Sequence, residues 1–131
     1  MKIFHGAAGV RSAILLMIGL LSLSCTDGLG PAADVQGTWD ADFNIPGAAL
    51  VLDLNQSDST VTGSGTYAIE AGRSGTVQEI GSYSRPAISL RITYDYGRAE
   101  TFTGTVLNAQ HMFGTVSDSA GHTSALSFTR R

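Results

Sequence analysis

Glu79 and Glu100 are the residues whose type and place suggest chemistry first. Glu79 has the strand parity of Val77, and Glu100 that of Phe102, so both carboxylates point toward the inner side of a β structure. Arg98 stands beside Glu100. A carboxylate so placed orients a ligand or pairs with an arginine, and a solvated strand end is the plainer alternative. His111 and His122 lie near turns, and zinc would need further ligands at recognisable spacing. None appears, so no metal is expected. Asp40 and Asp42 share one strand face; calcium would need a cage of oxygens around them, and a wet outer face accounts for them without one. The serine in "TGSGTY" has no strand-to-helix elbow to sharpen it, and "GSGT" lacks the lysine of a phosphate loop. No catalytic residue and no cofactor is assigned on these grounds, and an enzyme is the least favoured reading.

The elements that must position these groups are strands. From residue 35 to residue 131, turn residues recur every eight to twelve positions, the spacing of an all-β sandwich or barrel. Eight strands are predicted: 37–43, 49–56, 60–69, 75–84, 87–95, 98–107, 111–118 and 122–130. The links are too short for parallel crossovers, so neighbours are antiparallel. Apolar residues alternate with polar ones: Trp39, Ala41 and Phe43 share a face, as do Ile88, Leu90, Ile92 and Tyr94. The fourth strand departs from this, with Val77 and Ile80 on opposite faces, and a β-bulge is the expected cause. The fold class is therefore all-β, an eight-stranded antiparallel up-and-down meander that closes into a small barrel. Its threonine-rich outer face ("TFTGT") suits water rather than lipid. Glycines 63, 65, 104 and 114 fall on the inner face. Tyr67, Tyr94, Phe102 and Glu100 are the candidate ligand-binding residues, in an interior expected to be mostly filled with a shallow cavity at one mouth.

The first 24 residues have a different character. Lys2 and Arg11 precede the apolar run "AILLMIGLLSL", which is too short to span a bilayer. This is the pattern of a secretory signal peptide. Cys25, the one cysteine, follows it, and residues 25–34 read as a flexible tether. Without the leader, six arginines face eleven carboxylates, a net charge of −5 with no lysine. A nucleic-acid partner wants a basic patch, so none is expected. "LSLSC" resembles the lipobox of bacterial lipoproteins, although Ser22 occupies the place where that family prefers leucine. The resemblance implies a lipidated Cys25, a membrane as partner, and an anchor in the bacterial envelope. Thr26 in place of aspartate implies outer-membrane sorting in a cell with two membranes. Ordinary signal cleavage, giving a secreted or periplasmic chain, is the alternative.

"GTW" at the start of the first strand resembles the first-strand motif of lipocalins and avidins. In those families the tryptophan closes one barrel end under a basic residue of the last strand. The resemblance implies that role for Trp39 with Arg130 or Arg131 of "SFTRR", and Arg130 is assigned to the barrel-end pair. The second lipocalin motif and its C-terminal helix are missing, and no biotin-contacting residue of avidins can be placed. The expected function is a barrel that binds a small apolar or amphipathic ligand. The alternative is a structural or protein-interaction module with a filled barrel.

Overall fold

The computed structural model describes residues 30, 32–43, 45–69 and 72–131. The predicted leader (1–24), Cys25 and most of the tether lie outside the described residues. Eight strands follow in order: β1 Gly37–Ala41, β2 Ala49–Ser57, β3 Thr60–Ile69, β4 Arg73–Ser84, β5 Ala87–Tyr94, β6 Ala99–Val106, β7 His111–Asp118 and β8 Thr123–Arg130. Each pairs antiparallel with the next, and β1 pairs with β8 through Trp39↔Arg130 and Ala41↔Phe128. The sheet is a closed up-and-down barrel, and no described residue is helical. Closure satisfies the backbone groups that an open edge would leave bare.

Alternation drives this architecture. In β5, Ile88, Leu90 and Ile92 are buried while Arg91 and Thr93 face water. Equivalent sets from every strand fill one interior, with Trp39, Phe102 and Phe128 as the largest fully buried side chains. Burying each such ring contributes about 2–3 kcal/mol relative to exposure.

Two expectations are corrected. β1 ends at Ala41, so Phe43 lies beyond the strand at 39 % exposure instead of on the inner face with Trp39. β4 has no bulge: its pairing is continuous with β3 from Arg73 to Ser82 and with β5 from Val77 to Ser84. Strict two-residue alternation sends Val77, Glu79 and Tyr83 inward and leaves Ile80 outside at 59 % exposure. The irregularity is therefore chemical. A carboxylate occupies a core position, and an isoleucine occupies a surface one.

Two interior glycines are required by close approach. A Cβ at Gly65 would stand 1.9 Å from the Val51 carbonyl oxygen and 3.1 Å from Glu79 Oε1. A Cβ at Gly63 would stand 2.2 Å from the Asp53 carbonyl oxygen and 3.3 Å from Glu79 Oε2. Neither backbone clash can be relieved by a rotamer change. Gly65→Ala is expected to cost about 3 kcal/mol as overpacking. Ser64→Ala, on the exposed face between them, is expected to stay within about 0.5 kcal/mol. Urea unfolding of the two variants checks the contrast.

Candidate ligand-binding site

The two barrel ends differ in construction. One carries the approach to β1, the end of β8 and the β2–β3, β4–β5 and β6–β7 turns. Trp39 seals it, with no exposed surface. Its indole N–H donates to the Val35 carbonyl at 2.9 Å. The Arg130 guanidinium lies over the indole, 4.6 Å from the ring centroid, and its Nη2 donates to the Asp34 carbonyl at 2.8 Å. Such stacking suits a planar cation on an indole face. Arg131 turns away instead and forms a bidentate pair with Asp40 at 2.8 and 2.9 Å. Tyr83 adds a hydroxyl bond to the Ala32 carbonyl. Val35 is itself fully buried, so the segment before β1 is part of this plug.

The other end holds the β1–β2, β3–β4, β5–β6 and β7–β8 connections. Here Tyr67 and Tyr94 meet edge to face, with centroids 5.1 Å apart. Tyr96, from the β5–β6 turn, completes the cluster at 5.8 Å from Tyr67 and 5.6 Å from Tyr94. Arg73 stands over the Tyr96 ring at 5.4 Å. Asp95 organises the turn: it accepts from the Tyr67 hydroxyl at 2.8 Å and from the Thr76 amide at 3.1 Å. These two bonds, the amide first, hold its carboxyl below the usual range.

Across the mouth, Glu100 accepts from the Tyr94 hydroxyl at 3.4 Å and pairs with Arg98 at 3.2 Å. Burial, and then the charge of Glu100, raises the Tyr94 phenol. Arg98 also reaches Asp118 at 3.5 Å, and the His122 ring meets Asp118 at 3.2 Å. The His122 backbone amide is the main cause that lowers the Asp118 carboxyl. A cleft of about 310 Å³ lies among Arg98, Glu100, Val116, Asp118, His122 and Ser124. A second, of about 430 Å³, lies among Pro46, Ala68, Ile69 and Arg73. Both volumes fall at the small end of ligand pockets.

Of the sequence-predicted site residues, the structure brings Tyr67, Tyr94 and Glu100 together. Phe102 is elsewhere: it has no exposed surface and packs edge to face on Phe128 at 5.1 Å, outside the mouth cluster. Among the described residues no group of His, Cys, Asp and Glu is placed to hold a metal. Tyr96, Asp95 and Arg73 were not singled out from the sequence. The "YDYG" turn is the visible trace of Asp95 and Tyr96, since two tyrosines flanking a turn aspartate are brought to the same barrel end; Arg73 leaves no such signal.

The fold is similar to that of a solved structure of a redesigned β-barrel, mFAP1, bound to DFHBI. The TM-score is 0.60 at 14 % identity, over 73 % of this chain and 94 % of that chain. Such a likeness extends to the fold alone. No protein-family model matches the chain, and no curated protein matches it.

Glu79 lies inside the barrel, 4 % exposed. It belongs to an interior row that runs across the strands as Gly63, Glu79, Ile92, Glu100 and Asp118. Its carboxyl leans over the two glycines of β3, which leave the space it fills. Neither oxygen has a hydrogen-bond partner within the protein. Burial, reinforced by the charge of Asp53, pushes its carboxyl up to about 8. At neutral pH it is mostly a protonated acid, able to donate as well as accept.

Proposed function

We propose that this protein is an envelope lipoprotein whose barrel binds a small apolar or amphipathic molecule at its open end. The observation that carries the binding reading is the asymmetry of the ends. One is plugged by Trp39 under Arg130, while the other has, among the described residues, two clefts beside a tyrosine cluster. A barrel of similar fold was solved with DFHBI bound, so this architecture can hold a small molecule. The reading is also in keeping with the lipocalin- and avidin-like first strand. The anchor reading rests on the sequence: a short apolar leader, Cys25, and a polar tether. Two or more acyl chains on Cys25 would hold the protein at the membrane stably, since each buried methylene adds about 0.8 kcal/mol. In a cell with two membranes we place it at the outer one.

Native mass spectrometry of protein extracted gently from bacterial envelopes tests both parts. The expected spectrum shows a chain beginning at an acylated Cys25 and carrying one small molecule. A chain that begins elsewhere without acylation overturns the anchor. A chain that is empty in every preparation turns the reading toward a filled, protein-interaction barrel.

A further inference from the structure

We infer that the ligand is a small organic cation, an amine on an apolar body, whose ammonium group is held by the Glu79 carboxylate inside the barrel. This deepens the reading of the open end as a ligand site and rests on it.

A buried polar group without a partner costs the free energy of its lost hydration. Glu79 presents two such oxygens at 4 % exposure. An isoleucine is spent on the surface at the very next position. Gly63 and Gly65 clear the wall for the carboxyl where any side chain would collide with it or with the β2 backbone. A core built only for packing would place an apolar residue in this space. The carboxyl therefore awaits a donor that the chain does not supply.

The surroundings select the kind of donor. The interior row continues from Glu79 past Ile92 to Glu100 and Asp118 at the rim. Neighbouring strands lie about 4.8 Å apart, so the carboxylates step outward along the wall at distances a small ligand can span. Arg98 answers Glu100 and Asp118 at the rim, yet no positive side chain neighbours Glu79 in that row. The tyrosine cluster offers ring faces, and Arg73 over Tyr96 shows that these faces accept a cation. A carboxylate ligand, such as a fatty acid, would bring its negative charge into a row that ends in Glu100 and Asp118, and would keep Glu79 from ionising. An ammonium brings three donors and the opposite charge. Its apolar body would extend along the row toward Tyr94 and Glu100, where the cleft of about 310 Å³ opens at the mouth.

The test uses the full chain in detergent and two probes of one shape, 1-naphthylmethylamine and 1-naphthylmethanol. Titration calorimetry at pH 7 reads their affinities. The amine is expected to bind about ten- to a hundred-fold tighter than the alcohol, the range of a charge-assisted bond. Glu79→Gln, which keeps the shape, is expected to bring the two within two-fold by weakening the amine. Calorimetry of the native protein in two buffers of different ionisation enthalpy gives a readout that needs no variant. It should show about one proton released on amine binding and none with the alcohol. Equal affinities for the two probes, a preference that survives Glu79→Gln, or no proton release overturns the inference while leaving a ligand-binding barrel. If neither probe saturates a single site, the inference fails together with the reading beneath it.

Discussion

Replacing Trp39 by alanine is expected to remove about 3–5 kcal/mol of stability, the usual cost of deleting a buried large aromatic. The value follows from what the ring does at once. It is fully buried, and its strand pairs with both β2 and β8, so it sits beside the seam that closes the barrel. Its N–H satisfies the Val35 carbonyl, which otherwise is stranded in the plug. Its face carries Arg130. Gly37 lies beside the stem of the same arginine, where an added Cβ would meet Arg130 Cδ at 3.7 Å. Arg130→Ala should cost less, about 1–2 kcal/mol, because half-buried stacking is the main loss. The double variant should fall short of the sum by about 0.5–2 kcal/mol, since the second substitution removes a contact already gone. Guanidinium unfolding of the four proteins measures all three quantities. A loss under about 1 kcal/mol for Trp39→Ala would mean that the plug is decorative and the seam holds without it.

How far the sequence carries an observer depends on which physical rule each residue obeys. The strands were legible because Ile88, Leu90 and Ile92 obey a period of two, and because short links leave antiparallel pairing as the available connection. The place of Trp39 is legible only through resemblance, with Arg130 as the assigned partner. Parity separates Arg130 from Arg131, since the inward position goes to Arg130 while Arg131 falls beside Asp40. The inward parity of Glu79 is legible in the sequence, yet Val77 and Ile80 on opposite faces point to a bulge. The backbone obeys the ladder instead, and the exception is in the side chain. Phe102 shows the converse. Its inward parity was right, but parity does not give depth along the barrel, and depth separates a core ring from a mouth ring. Tyr96 joins the mouth from a turn, where no periodicity operates.

The stability of the empty barrel is expected to fall between pH 4.5 and 8, and the sign follows from Glu79. Its carboxyl ionises near the ordinary 4.5 in the unfolded chain and near 8 in the folded one. Between these values the folded protein holds one proton more, so raising the pH favours unfolding. The contribution is whole below 4.5, declines through the interval, and is spent above 8. Integrated over the window it amounts to about 5 kcal/mol. The residues next to Glu79 on the inner face are Val77 on β4, Ile92 on β5, and Gly63 and Gly65 on β3, none of them charged; Asp53 of β2 is the charge that bears on it. Asp95 and Asp118 act in the opposite sense and elsewhere. Their carboxyls are lowered on folding, so they lose stability only as the pH drops through the acid range. Urea midpoints at pH 5 and pH 8.5 therefore isolate Glu79 when compared with Glu79→Gln, which should show a much flatter profile and be the more stable protein at the higher pH. Coincident profiles for the two proteins would place the Glu79 carboxyl in contact with water. An amine bound against Glu79 should reverse the outcome at pH 8.5, because the carboxylate that weakens the empty barrel becomes the partner that holds the ligand.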